Sequence, residues 1–381
     1  MIIPERLPLE LLFPAVKPKP ATADRRTVLG SVAALLGAAS TSVRAAAADG
    51  DGYEQRPVEI DSFGGTTIVG SVYVPDGDGP FPAVLMTHGW GGDHGSERIQ
   101  RLADNYASNG YVVLAYDSRG FGESEGEVTV DGPNEVGDAR ALITWLARRD
   151  AVAIDGPDDP KVGMDNVSYA GGIQLNTAAV DDRLDALVPR WAWNDLPFTL
   201  APNGVIKAGW DTLLLATGAT GARGVTSGDN TPQEEDVVSG LNHEVYEANL
   251  LGAATNEFPE GSVGYYRERS PSTKLDDIET PTLLVSGRPD TLFVPNEAVW
   301  TFDGLRERGT ETCLVRFEGA HTLTATPGPE QRAVLDEMAL AWLDEHVAGE
   351  GSTEFPPVTF YEVQSGEWRS ADGVPPSGAG A

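Results

Sequence analysis

The segment at residues 161–174 constrains the fold of this chain more than any other stretch. Its sequence, KVGMDNVSYAGGIQ, predicts a short buried strand, a sharp turn that carries Ser168, and a helix that opens at two consecutive glycines. A serine at such a turn projects above the carboxyl end of a sheet, with the N-terminus of the helix beneath it. The segment therefore predicts an exposed nucleophile. The alternative is an ordinary serine in a strand–helix loop.

The turn departs from the usual Gly-x-Ser-x-Gly pattern at two positions. Asn166 and Ala170 stand where that pattern has glycine. Asparagine tolerates left-handed or strained backbone better than most non-glycine residues, so the turn remains compatible with a nucleophile.

Apolar runs of strand length alternate with helical patterns along most of the chain. This alternation predicts an α/β fold, in which helices flank a mostly parallel sheet with right-handed crossovers and the ligand site lies at the carboxyl ends of the strands. Polar or glycine-rich motifs directly follow strands, which favours the same site. Besides the strand before Ser168, the predicted strands are residues 58–60, 67–74, 81–86, 111–116, 184–189, 281–286 and 312–317, and the predicted helices are 99–107, 135–146 and 331–347.

The alternation breaks between residues 191 and 274. This stretch is rich in tryptophan and tyrosine, contains helical patterns, and includes a polar loop at residues 227–235. It is too long for a simple crossover, so we predict a mostly helical cap inserted over the site. Two ordinary helices with surface loops are the alternative, and the aromatic residues then form the core of that segment.

The N-terminal residues indicate an export signal. Arg25 and Arg26 precede a short apolar region and an alanine-rich stretch that ends at residue 48, as in a twin-arginine signal. The apolar region is too short for a comfortable membrane span. We therefore expect an extracellular or cell-surface protein without stable membrane insertion. An uncleaved anchor or a wrongly assigned start is the alternative.

The charge of the chain restricts its partners. The formal net charge is −31, and the one basic concentration is at residues 1–45, which carry a net charge of +3. Such a charge argues against nucleic acid or an anionic membrane as partner and suits a halophilic protein, which carboxylates keep soluble in concentrated salt. Cys313, the only cysteine, lies in an apolar run and is expected to be a small core residue.

A serine nucleophile needs a base and a carboxylate that orients the base, in the chain order serine, acid, histidine for this type of fold. Of the five histidines, only His321 follows the last apolar strand. Asp290 follows the preceding strand, and Asp195, after an earlier strand, is the reserve candidate. We therefore predict Ser168, Asp290 and His321 as the catalytic residues, whereas a surface-loop histidine is the alternative.

The oxyanion of a tetrahedral intermediate needs preorganised donors. The backbone N–H of Tyr169, directly after the nucleophile, is one candidate. The second is the backbone N–H of Trp90 in the glycine-rich loop at residues 87–92, which lacks the Lys-Ser/Thr of a phosphate-binding loop. The sequence implies no metal and no organic cofactor.

These motifs together resemble the Xaa-Pro dipeptidyl-peptidase and cocaine-esterase group of α/β-hydrolases, over roughly residues 53–369. The resemblance implies the triad Ser168, Asp290 and His321, hydrolysis of esters or amides through an acyl-enzyme, a helical cap and a C-terminal β jelly roll. It rests on DxRGxGxS at 117–124, SYAGGIQ at 168–174, DRLDALVP at 182–189, GRPDTLF at 287–293 and GAH at 319–321.

The resemblance also suggests domain boundaries. We expect a signal peptide and linker at residues 1–48, a hydrolase core at 49–192 and 277–349, and a mostly helical cap at 193–276. Residues 350–381 resemble the start of a truncated jelly roll. A flexible Pro/Gly-rich tail is the alternative for this last segment.

The sequence thus predicts an exported serine hydrolase of a small ester or short peptide. One alternative is a catalytically inactive binding or structural protein that kept the scaffold. A carbon–halogen or epoxide hydrolase would need an aspartate nucleophile, against which Ser168 argues.

Overall fold

A computed structural model of the chain describes residues 52–222, 240–321 and 327–374. The predicted signal at residues 1–48 and the predicted polar loop at 227–235 lie outside the described residues.

The described residues are organised around one sheet of ten strands in the order β1-β2-β4-β3-β7-β8-β9-β10-β11-β12. The seven strands from β4 to β11 along this order run parallel, and an antiparallel hairpin closes each end. This confirms the predicted α/β class with a mostly parallel sheet. The strands are β1 (Tyr53–Asp61), β2 (Thr67–Pro75), β3 (Ala83–Thr87), β4 (Val112–Tyr116), β7 (Val162–Val167), β8 (Ala186–Arg190), β9 (Thr282–Gly287), β10 (Thr312–Phe317), β11 (Val358–Glu362) and β12 (Glu367–Ala371), with a separate short hairpin of β5 (Ile154–Gly156) and β6 (Asp159–Pro160).

Helices connect the parallel strands and fill the segment between β8 and β9. None of the helices in the described part of the chain is long and apolar enough to cross a membrane. The helices are α1 (Glu97–Ser108), α2 (Pro133–Ala147), α3 (Tyr169–Ala178), α4 (Leu196–Leu200), α5 (Ala208–Gly221), α6 (His243–Thr255), α7 (Val263–Glu268), α8 (Pro295–Glu307) and α9 (Pro329–Leu343).

Each face of the sheet is covered by its own apolar core. On one face, α1 and α9 pack Leu102 and Trp342 against β3, β4, β8, β9 and β10. On the other face, α2 and α3 contribute Leu142 and Ile173. Strands buried on both faces must be apolar along their whole length, which is why they were visible as continuous runs. Cys313 is buried on β10, as expected, and burial raises the pKa of its thiol to about 12.

A buried ion network, the arginine network, joins the sheet to α1 and α9. Arg190 on β8 donates to both carboxylate oxygens of Asp165 on β7 at 2.6 and 2.7 Å, and to Asp336 on α9 at 2.7 Å. Arg101 on α1 pairs with the other oxygen of Asp336. The hydroxyl of Tyr106 donates to Asp165 at 2.5 Å. Because every partner is paired, these charges can lie in the interior and fix β7, which leads into Ser168.

The C-terminal strands differ from the expected domain division. β11 pairs in parallel with β10, and β12 pairs antiparallel with β11, so both extend the central sheet. Val358 packs with Leu284 and Leu314 of the neighbouring strands. The expected jelly-roll start at residues 350–381 is therefore, as far as residue 374, an edge hairpin of the central sheet, because β10 offers it an unpaired edge and an apolar surface.

Candidate active site

Ser168 lies at the sharp turn between β7 and α3. Its backbone has φ 61° and ψ −117°, a strained conformation for a residue with a side chain. Its own N–H donates to the carbonyl of Arg190 at 2.7 Å, and its carbonyl accepts from the N–H of Gly171 at 2.7 Å. The turn is thus held from both sides. It presents the Ser168 hydroxyl at the N-terminus of a buried helix.

Asn166 contributes hydrogen bonds that a glycine lacks. Its side-chain Nδ2 donates to the carbonyl of Thr87 at 2.7 Å, and its Oδ1 accepts from the N–H of Val167 at 2.8 Å. The paired register of β3 with β7 ends at Leu85 and Met164, so this side chain continues the link between the strands where the ladder stops. Asparagine at this position of the Gly-x-Ser-x-Gly pattern therefore stabilises the turn through side-chain hydrogen bonds, which are not evident from the sequence.

The structure brings the three predicted catalytic residues together. His321 follows β10, and its Nε2 lies 2.7 Å from the Oγ of Ser168. The Nδ1 of His321 lies 2.9 Å from the Oδ2 of Asp290, which follows β9. With Asp290 as a carboxylate, Nδ1 donates to it, which leaves Nε2 free to accept the hydroxyl proton of Ser168. Residues 322–326, directly after His321, lie outside the described residues.

Asp290 and the ring of His321 are both largely shielded from water. Asp290 is buried, and its Oδ1 accepts from the N–H groups of Leu292 and Phe293 at 2.8 and 3.0 Å. The ring of His321 lies between aromatic rings, with centroid distances of 4.7 Å to Phe293 and 5.9 Å to Trp210. Packing and hydrogen bonds therefore fix both side chains in the orientation that a proton relay needs.

The reserve acid, Asp195, lies elsewhere and has a structural task. Its Oδ1 accepts from the N–H of Phe198 at 2.9 Å and caps the short helix α4. It is not a partner of His321, so the structure favours Asp290.

The glycine-rich loop after β3 passes close to α5. Gly91 has φ 74°, and a Cβ built on it would lie 2.6 Å from the carbonyl oxygen of Thr217, so only glycine fits. The indole Nε1 of Trp90 donates to the carbonyl of Leu214 on α5 at 2.8 Å. Its ring packs edge-on against Phe121 and Tyr169. The loop is thus fixed to α5 through the side chain of Trp90.

The predicted oxyanion donors belong to residues that line a cavity together with Ser168. Tyr169 follows the nucleophile at the first position of α3, and Trp90 lines the same two cavities as Ser168. Within the described ranges, the backbone N–H groups of Trp90 and Tyr169 have no hydrogen-bond acceptor. Since the indole N–H of Trp90 is already bonded to α5, only its backbone N–H can reach an oxyanion.

His88 at the start of the loop is structural. Its Nδ1 donates to the carbonyl of Gly89 at 2.8 Å, and its Nε2 accepts from the N–H of Ser118 at 3.0 Å. Burial lowers the pKa of His88, which keeps the ring neutral as this hydrogen-bond pattern requires.

Two cavities meet at Ser168. The first, which we call the acyl pocket, extends from Ser168 and Tyr169 among apolar side chains of α5, α6 and α7. His321 does not line it. The His321 cleft contains Ser168, His321, Trp191 and Arg98. No cluster of His, Cys, Asp or Glu that could hold a metal ion occurs in the ranges that the structure describes.

One carboxylate lines the acyl pocket. Asp211 on α5 is buried, and its Oδ2 has no hydrogen-bond partner among the described residues. Burial raises the pKa of this carboxyl to about 6. Asp211 could not be selected from the sequence, because aspartate is abundant in the chain and no motif surrounds this one.

The chain is similar in sequence to a known protein family and to several curated proteins. A family model for X-Pro dipeptidyl-peptidases (S15 family) matches residues 64–323. The cocaine esterase of Rhodococcus sp. (strain MB1 Bresler) is 24% identical over 348 residues, covering 80% of this chain and 57% of the esterase. The quorum-quenching protein AidA of Acinetobacter baumannii (strain MDR-ZJ06) is 30% identical over 145 residues, covering 37% of this chain and 45% of AidA. The chain thus spans about half the length of these curated relatives.

Solved structures share the fold. An α-amino acid ester hydrolase superposes with a TM-score of 0.63 at 18% identity, covering 94% of this chain and 62% of the hydrolase. An aminopeptidase from a marine sediment archaeon, Thaumarchaeota archaeon, superposes with a TM-score of 0.61 at 16% identity, covering 88% of this chain and 62% of the aminopeptidase. With the family match over more than half of its length, the chain belongs to the X-Pro dipeptidyl-peptidase (S15) family and has its α/β-hydrolase fold.

Proposed function

We propose that this chain is a serine hydrolase that cleaves an ester or an amide through an acyl-enzyme. Ser168 is the nucleophile, His321 the base and Asp290 the group that orients the base. The observation that carries the proposal is the pair of contacts on the His321 ring, 2.7 Å to Ser168 Oγ and 2.9 Å to Asp290 Oδ2. Both are hydrogen-bond distances, so the proton can move without a side-chain rearrangement.

Acylation begins when the Oγ of Ser168 attacks the carbonyl carbon of the substrate and Nε2 of His321 takes the hydroxyl proton. The carbonyl oxygen becomes an oxyanion, which accepts from the backbone N–H groups of Tyr169 and Trp90. The intermediate then collapses, the bond to the leaving group breaks, and the leaving oxygen or nitrogen takes the proton from Nε2. Ser168 is left as an ester of the acyl group.

Deacylation repeats the proton path with water. His321 takes a proton from the water as its oxygen attacks the acyl-enzyme, and then returns that proton to Oγ of Ser168 as the carboxylic acid is released. The same two backbone N–H groups stabilise the second oxyanion. A donor of this kind typically contributes about 10²–10³ in rate.

The lining of the acyl pocket indicates which acyl group the substrate carries. Its apolar lining, which includes Leu196, Ile206 and Leu214, suits an apolar acyl group. Residues 193–276, which include the helices α4–α7, provide most of this lining, and we propose that they act as a cap over the site.

A fluorophosphonate probe tests the proposed nucleophile. The folded wild-type protein should be labelled covalently, and Ser168→Ala should abolish the labelling. Ser365→Ala, which removes an exposed hydroxyl in a surface turn, serves as the matched control and should label as the wild type does. A folded wild-type protein that is not labelled would favour the inactive binding or structural protein instead.

Asp211 favours a second candidate, cleavage of peptides with a free N-terminal amine. An ammonium group would give this carboxylate the partner that it lacks within the described residues. Xaa-Pro-p-nitroanilides with a free or an acetylated amine, measured beside p-nitrophenyl esters, separate the two activities. A preference for the free amine that Asp211→Asn removes would support the peptidase, whereas ester cleavage alone would support the esterase.

We also propose export by the twin-arginine route, on the basis of residues 1–48. A reporter fused to this segment should leave the cytoplasm, and replacement of Arg25 and Arg26 by lysine should retain it. Export that is unaffected by the replacement would contradict this route.

A further inference from the structure

The His321 cleft contains a cation near the proposed leaving-group site. Arg98 lies near the start of α1 and lines the cleft together with Ser168 and His321. The guanidinium carbon of Arg98 lies 5.2 Å from the ring centroid of Trp191, and the ring centroid of Trp191 lies 6.4 Å from that of His321. The ring of Trp191 therefore lies between the positive charge of Arg98 and the imidazole of His321, which transfers the proton.

Arg98 has no carboxylate partner and no hydrogen-bond acceptor in the part of the chain that the structure describes. The nearby acids are already used, because Asp165 and Asp336 of the arginine network pair with Arg190 and Arg101. A half-buried guanidinium without a partner among the described residues is unusual for a protein with a net charge of −31.

Among the charges that act most strongly on Arg98, three are positive and one is negative. Arg190, Arg101 and Arg332 act on Arg98 with the same sign, and of the acids Asp336 opposes them most. Burial first, and then these like charges, lower the pKa of Arg98 to about 10. The group is still a cation at neutral pH, and an incoming anion would relieve the repulsion.

Only one of the two cavities is lined by His321, which carries the transferred proton. The leaving group takes its proton from Nε2 of His321 and so must lie in the cavity that His321 lines. Arg98 lines that cavity, whereas the acyl pocket contains neither of them. Arg98 is thus on the leaving-group side of Ser168.

We propose that Arg98 is a specificity-determining residue that binds a carboxylate on the leaving group. The preferred substrate joins an apolar acyl group, held in the acyl pocket, to an alcohol or amine that carries a carboxylate. A guanidinium donates hydrogen bonds from the edge of its plane, where a planar two-oxygen acceptor fits best. This inference rests on the proposed hydrolase function and adds the chemical class of its leaving group.

A matched pair of esters tests the inference. The butanoyl ester of 4-hydroxybenzoate carries the carboxylate, and the butanoyl ester of 4-hydroxybenzamide is its neutral counterpart. At one fixed ionic strength, the wild type should show a higher kcat/KM for the anionic ester, mainly through a lower KM. Arg98→Gln should lower the ratio of the two kcat/KM values by about tenfold or more, the usual effect of losing a charge-assisted hydrogen bond.

Arg332→Gln is the matched control, because Arg332 also acts electrostatically on Arg98 but does not line the cleft. It should leave the ratio within about twofold of the wild type. An unchanged ratio in Arg98→Gln would overturn the inference and leave the hydrolase intact. A wild type that cleaves neither ester and is not labelled by fluorophosphonate would overturn both.

Inhibition of the wild type gives a second test that does not depend on how a variant folds. Benzoate should compete with the neutral ester more strongly than benzamide does. Equal inhibition by the two compounds would contradict a carboxylate site at Arg98.

Discussion

Asn166 offers a sharp test of the site, because replacing it by glycine restores the usual motif yet should destabilise the protein. Asn166→Gly removes the hydrogen bonds to the carbonyl of Thr87 and from the N–H of Val167. Asn166 is buried, so both backbone groups lose a partner in the interior. Each loss costs about 1–3 kcal/mol. The backbone of Asn166 has φ 158°, which glycine adopts without strain, so the backbone itself adds no further cost. Taking the lower end for each of the two hydrogen bonds, because water can enter the vacated space, we expect a loss of about 2 kcal/mol.

Urea unfolding followed by tryptophan fluorescence measures this change as a lower midpoint at an unchanged slope. Asn256→Gly is the matched control. Asn256 is exposed and has φ 59°, a left-handed conformation that glycine adopts without strain. The control should stay within about 0.5 kcal/mol of the wild type. The reasoning would be refuted if Asn166→Gly were as stable as this control. Activity should also fall in Asn166→Gly, because the turn at Ser168 loses its link to β3.

Three further predictions follow from the same structure. Gly172→Ala should destabilise by about 1–3 kcal/mol through overpacking, because its Cβ would lie 2.2 Å from the ring of Trp193, whereas Gly261→Ala, with open space around it, should be neutral in thermal unfolding. Asp211 has a raised pKa of about 6, so the folded state binds more protons than the unfolded state between about pH 4 and pH 6. The free energy of unfolding should therefore fall as pH rises through this window, and Asp211→Asn should flatten that part of the profile. Dilution into low salt should reduce folding or activity if the net charge of −31 reflects adaptation to concentrated salt, and indifference to salt would exclude it.

The sheet was predictable because its strands are buried on both faces. β10 occupies residues 312–317, the bounds read from its apolar run, and the predicted strand at 281–286 differs from β9 by one residue at each end. The helix α8 was not predicted, since its apolar residues are spaced among charged ones without a long pattern. The C-terminal hairpin was assigned to another domain because the sequence does not reveal which sheet edge an amphipathic strand joins.

Some residues of the candidate site could also be predicted from the sequence, and others could not. Ser168, Asp290 and His321 could be selected because each follows a strand in the chain order of this fold, and the structure places them within hydrogen-bond distance. Arg98 and Asp211 could not, because their significance lies in the absence of a partner within the described residues. Pairing depends on groups that are distant along the chain, as Arg190 and Asp336 show, and a single sequence does not contain that information.

The bond between the indole of Trp90 and the carbonyl of Leu214 has a mechanical consequence. The backbone N–H proposed to stabilise the oxyanion belongs to the same residue that is fastened to α5. Any outward movement of α5 that admitted a substrate would pull this donor out of position, and its return would restore it. The oxyanion donor would then be in position only while α5 is closed over the substrate, so acylation of Ser168 would be coupled to closure of this helix.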